Sequence, residues 1–120
     1  MAGPIGYEEL KTKLLKYKKA TLDFPFDDVT ACFRVINKMF ALVAMDEDPL
    51  RINLKCDPND AEALRSLYTA IIPGYYMNKK HWNTIILDGT LPVELIDDLI
   101  EDSYRLIVKS LKKSDRDQLL

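Results

Sequence analysis

The stretch Ile72-Pro73-Gly74-Tyr75-Tyr76-Met77-Asn78-Lys79-Lys80-His81-Trp82 gathers most of the side chains able to recognise a ligand. It holds the chain's only histidine and only tryptophan. Two adjacent lysines supply charge for a phosphate or carboxylate, and Asn78 supplies an amide for hydrogen bonding. The rings of Tyr75, Tyr76 and Trp82 offer flat faces on which bases can stack. A Pro-Gly turn precedes them. Polar residues of this kind in a loop have little packing to explain them, so Asn78, Lys79, Lys80 and His81 are candidate binding residues. Trp82 and Tyr75 fit anchoring of the core better, although Trp82 and Tyr76 could line the same site. Lys38 and Lys55, at the ends of other expected strands, could extend the patch, as could the first helix.

Other chemistry finds less support. One histidine and two isolated cysteines, Cys32 and Cys56, give no zinc-binding spacing. A nucleophile pair of Cys32 or Cys56 with His81 has no spacing in its favour. No phosphate loop, dinucleotide fingerprint or nucleophile elbow occurs. The acidic run Glu94, Asp97, Asp98, Glu101 and Asp102 fits a solvated helix face better than a hard-cation site. The expectation is a protein with no catalytic residues, no metal and no cofactor.

These residues need a scaffold, and 120 residues suffice for one domain with a core of its own. The formal net charge of −2 excludes a generally basic nucleic-acid binder, so affinity for phosphate has to come from a local patch. Lysines crowd the start (Lys11, Lys13, Lys16, Lys18, Lys19) and carboxylates a later helix, which suggests a positive and a negative side; each alone reads as a solvated helix face. Two single cysteines suit buried structural thiols and a reducing, cytoplasmic location. No signal peptide and no membrane-spanning run is expected.

Along the chain, Tyr7, Leu10, Leu14 and Tyr17 recur at helical spacing. Thr21 to Asp28 reads as a loop around Pro25. Three strands follow, Cys32 to Ile36, Met39 to Met45 and Arg51 to Lys55, joined by a tight Asn37-Lys38 turn and a polar Asp46–Pro49 loop. In the third strand Ile52 and Leu54 face one way and Arg51, Asn53 and Lys55 the other. Asp57-Pro58 predicts a helix start, with Ala61, Leu64, Leu67 and Tyr68 as its apolar stripe. Trp82 to Leu87 reads as a strand, with Tyr75 to Met77 as a partner that would make Asn78-Lys79-Lys80 a hairpin tip. A last helix starts near Thr90 to Pro92, buried through residues from Leu95 to Leu111. Its carboxylates come first and its lysines last, as the helix dipole favours. Residues 1–113 form one α+β domain, and 114–120 a frayed tail.

Taken together, these residues resemble the MmcQ/YjbR family of small bacterial proteins over nearly the whole chain. The resemblance rests on Pro25-Phe26, on Phe33 with Lys38-Met39-Phe40-Ala41, and on Asn53-Leu54-Lys55-Cys56-Asp57-Pro58. It continues through Leu64-Arg65, Pro73-Gly74-Tyr75, Met77-Asn78-Lys79, His81-Trp82 and Ser103-Tyr104. It implies a frataxin-like (CyaY-like) α+β fold, an antiparallel sheet packed against N-terminal, middle and C-terminal helices. It also implies DNA binding through a double wing of hairpins. Members commonly carry His where this chain has Tyr76 and Arg where it has Lys80, so a titratable group and a bidentate fork are lost here. Frataxin-like folds suggest iron on an acidic first helix, but this first helix is basic. The expected function is non-enzymatic DNA binding by a monomer through Asn78, Lys79, Lys80, His81, Lys38, Lys55, Tyr76 and Trp82. The alternative is an adaptor or binding module for a small anionic ligand or protein partner.

Overall fold

The computed structural model describes residues 4–74 and 77–120. In chain order the elements are α1 (Tyr7–Leu15), β1 (Ala20–Asp23), β2 (Thr30–Val35), β3 (Lys38–Ala44), β4 (Arg51–Lys55), α2 (Pro58–Leu67), β5 (Ile71–Pro73), β6 (Trp82–Ile86), α3 (Val93–Ser110) and α4 (Lys113–Asp117). The six strands form one antiparallel sheet in the order β1-β2-β3-β4-β6-β5.

One sheet face carries the core. Leu10 and Leu14 of α1 and Ile96, Ile100 and Ile107 of α3 pack with Phe33, Val35, Val43, Ile52, Leu54 and Ile85 in a single buried cluster. Alternation sends the remaining strand residues to the helix-free face, where Cys32, Leu42, Asn53 and Thr84 lie in adjacent strands. Phe40 is an extra residue in β3: Phe33 pairs with Ala41 while Arg34 pairs with Met39. This bulge lets Phe40 and Ala41 both turn toward the helices. There Tyr17 stacks on Tyr104 at 4.7 Å, with Phe40 edge-on to both. Ser103 pins α3 to the sheet, donating to the Phe40 carbonyl and accepting from the Lys55 N–H at 2.9 Å.

The three-strand meander, both expected later helices and the α+β class are all present. The Asp57 carboxylate accepts from the Asn59 N–H at 3.0 Å, with Pro58 opening α2. Elsewhere the structure departs from expectation. Residues 20–23 form β1, an edge strand marked only by Ala20 and Leu22, which pack against the core. The β2–β3 turn is Ile36-Asn37, both at positive φ (44° and 69°), so Lys38 belongs to β3. A mirror-image turn suits the twist of the flanking strands, and it outweighs the left-handed penalty on a β-branched residue. Pro73, expected in a turn, ends β5, where an edge strand tolerates it. The strand drawn over Tyr75 to Met77 falls partly on Tyr75 and Tyr76, which lie outside the described residues. Beyond Ser114 the chain forms α4, and Leu119 packs against the core.

Candidate nucleic-acid interface

Strand direction sorts the charges. β3 opens with Lys38, β4 runs back to end at Lys55, and β6 starts at Trp82 opposite Lys55. β1 starts at Ala20 opposite Val35, so Lys18 and Lys19 precede it at the same end. Lys18, Lys19, Lys38, Lys55, Lys79 and Lys80 therefore collect at one end of the sheet. The strand ends and turns at the other end carry Asp23, Asp27, Asp46, Glu47, Asp48 and Asp88, with Arg51 opening β4 among them. The helices contribute no comparable separation. Lys13 of α1 lies 2.9 Å from the Asp97 carboxylate of α3, so the basic and acidic stripes lie together and offset one another.

The segment from Asn78 to Trp82 is a compact turn that Asn78 builds. Its carbonyl accepts from the N–H groups of His81 (3.2 Å) and Trp82 (3.0 Å), and its side-chain oxygen accepts from the Lys80 N–H at 2.9 Å. Lys79 turns its ammonium back onto the Gly74 carbonyl at 3.2 Å. Gly74 donates its N–H to the Trp82 carbonyl at 2.9 Å, and a Cβ on Gly74 would fall 2.9 Å from Trp82 Cβ. Only glycine allows the two strands this close.

Arg65 on α2 holds the turn from outside. Its Nε donates to Asn83 Oδ1 at 2.7 Å, and its Nη2 to the carbonyls of Trp82 (3.2 Å) and Lys79. Asn83 is buried on the helix side, and its Nδ2 has no partner among the described residues. A rigid fork able to reach three acceptors explains an arginine here. Sequence reasoning assigned Arg65 no role in the site. The available signal was its position as the lone cation in a helix whose other charges are Asp60 and Glu62.

The candidate residues therefore separate. Asn78 commits its Oδ1 and Lys79 one ammonium hydrogen to the turn, while the exposed Asn78 Nδ2 and the other Lys79 hydrogens have no partner among the described residues. Lys38 points to the helix side, donating to the Ser110 carbonyl at 3.2 Å at the end of α3. Lys55 and Trp82 are cross-strand partners on the helix-free face. The side chains of Lys55, Lys80 and His81 make no hydrogen bond among the described residues. These three and the half-buried Trp82 remain available to a ligand. Tyr76 lies outside the described residues.

Cys56 and His81 face each other across the strand pair, and the Cys56 N–H donates to the His81 carbonyl at 2.8 Å. Burial first, then the carboxylates of Asp60, Asp102 and Asp57, push the Cys56 thiol up to about 11. Burial also raises that of Cys32. Both stay protonated at neutral pH, the opposite of an activated nucleophile.

A six-stranded antiparallel sheet with helices on one face and a strapped turn before β6 defines a small α+β protein class. Solved structures match this chain over most of its length. A Deinococcus radiodurans crystal structure matches with a TM-score of 0.88 and 41% identity, over 95% of this chain and 87% of that one. A Pseudomonas syringae crystal structure matches with a TM-score of 0.74 and 30% identity, over 85% and 98% of the two chains. Among curated relatives, Escherichia coli YbdF is 34% identical over 110 residues, covering 92% of this chain and 90% of YbdF. Escherichia coli YjbR is 36% identical over 87 residues, covering 72% and 74%. The YjbR family model matches residues 15–106, and the chain belongs to that family.

Proposed function

We propose that this protein is a non-enzymatic nucleic-acid-binding module whose contact surface is the cationic end of its sheet. The separation of charge along the strands carries the reading. On a chain of net charge −2, it gathers six lysines at one end of the sheet, where Asp57 follows β4 as the nearby carboxylate in the chain. Lys55 and Lys80 would meet phosphates, His81 would donate a hydrogen bond, and Trp82 would stack on an exposed base. The β2–β3 turn and the turn at 78–81 flank Lys55, in keeping with a double wing. The raised thiols of Cys56 and Cys32 support a binding rather than a catalytic role. Two free cysteines accord with a cytoplasmic setting.

Fluorescence anisotropy of labelled single- and double-stranded oligonucleotides over a salt series tests this. Replacing Lys55 and Lys80 together with Ala removes two phosphate contacts without touching the bonds that build the turn. For single strands the slope of log affinity against log salt should fall by about 1.4. Lys79→Ala is less informative, because it also loosens the turn. The competing reading is an adaptor or module for a small anionic ligand or protein partner. It draws on the same Lys55, Lys80 and His81, and expects no oligonucleotide binding even at low salt.

A further inference from the structure

The helix-free face of the sheet carries a pocket that the cationic end does not use. Its volume is about 460 Å³, within the range of small-molecule sites. Met39, Leu42 and Ala44 form the floor, and Phe26, Val29 and Met77 the walls. Met39 in the floor and Met77 in the wall give the pocket an adaptable shape. The wall contributed by the β1–β2 loop is held in place by its own bonds. The Asp27 carboxylate accepts from the N–H groups of Thr30 (2.7 Å) and Val29 (3.0 Å), and the Val29 carbonyl accepts from the Met45 N–H at 2.8 Å.

Two features give the pocket a chemical preference. Asp27, Asp46 and Glu47 stand at its rim, and the described lining holds no cation, with Arg51 one strand away as the partner of Ala44. The bonds from Thr30 and Val29 also hold the Asp27 carboxyl below the usual carboxylate range, so it is charged at neutral pH. At the base lies Asn53, only 5% exposed. Its Oδ1 accepts from the Thr84 hydroxyl and its Nδ2 donates to the Leu42 carbonyl at 3.4 Å. That leaves the second Nδ2 hydrogen without an acceptor among the described residues. Nδ2 is thus satisfied once, by a long bond, and can donate a second time to a group entering the pocket.

We propose that this pocket binds a small organic cation: an apolar body seated on Met39, Leu42 and Met77, a hydrogen-bond acceptor at Asn53 Nδ2, and an ammonium group at the Asp27–Asp46–Glu47 rim. The site is independent of the nucleic-acid surface, and its rim would repel phosphate.

The test uses the full chain labelled with ¹³C-methyl methionine and titrated with para-methoxyphenethylamine. Para-methoxyphenylpropionate and para-methoxyphenethyl alcohol serve as anionic and neutral controls of matched shape. The amine should shift the Met39 and Met77 methyl signals and leave Met45 in place, binding about tenfold tighter than the carboxylate. Asp46→Asn with Glu47→Gln, both exposed, should reduce that preference severalfold, and Ala44→Leu should abolish binding by filling the floor. Absence of a Met39 or Met77 shift at about 10 mM amine would overturn the proposal. Equal affinity for the amine and the carboxylate would overturn it too. Should Ala44→Leu fail to fold, the rim variant alone decides.

Discussion

Removing the Arg65 guanidinium should uncouple the turn at 78–82 from the helix layer. The magnitude follows from what each acceptor has left. The Trp82 carbonyl keeps the Gly74 N–H at 2.9 Å, and the exposed Lys79 carbonyl can turn to water. Asn83 Oδ1 has neither option, because Asn83 is 2% exposed and Arg65 is its only donor among the described residues. A charge-assisted bond to a buried acceptor is worth about 1.5–3 kcal/mol, and it sets most of the loss. Arg65→Met should therefore lower unfolding stability by about 2–3 kcal/mol in urea titrations at constant m-value. Arg65→Lys should recover little, since an ammonium cannot reach three acceptors from one position. Asn83→Leu removes the orphaned amide with its partner, so the Arg65→Met/Asn83→Leu double variant should lose less than the sum of the single losses, with a coupling of about 1–2 kcal/mol. A loss below about 0.5 kcal/mol for Arg65→Met, or strict additivity, would refute the strap.

Further consequences can be checked independently. Gly74→Ala forces β5 away from Trp82 and should cost about 2 kcal/mol in chemical denaturation, with amide shift changes concentrated at residues 72, 74 and 82–84. Asp57→Ala removes the α2 cap and should cost about 1 kcal/mol in the same assay. Cys56 should react with iodoacetamide at pH 8 about two orders of magnitude more slowly than a free thiol, because so little thiolate is present. The sign follows from a raised value: reactivity climbs as pH rises toward about 11. A rate that levels off above about pH 9.5 would show an ordinary thiol.

Most of the fold could be read from the sequence because its signals were periodic and local. Leu10 and Leu14, the alternation in β4 and the Asp57-Pro58 start each depend on neighbours within a few residues. The edge strands β1 and β5 leave little trace in the sequence, since short strands with one exposed side carry little pattern and are defined by the strand beside them. The site was legible in composition but not in arrangement. Asn78 and Lys79 carry ligand-binding side-chain types, and their bonds to the Lys80 N–H and the Gly74 carbonyl are set by backbone geometry that side-chain types do not reveal. Lys38 and Lys55 looked equivalent at strand ends, yet the Phe40 bulge and the pairing with Val35 send Lys38 to the helix side. Arg65 and Asn83 lie 18 residues apart, beyond the reach of any local signal.

The most direct test of the cationic end is an amide shift map. The protein, uniformly ¹⁵N-labelled, would be titrated with a short single-stranded oligonucleotide at low salt. Binding at the proposed surface should perturb Lys18, Lys19, Asn37, Lys38, Lys55 and residues 78–82, and leave Asp27, Asp46 to Asp48 and Asp88 unmoved. Perturbations centred on that carboxylate end, or none at either end, would contradict the account.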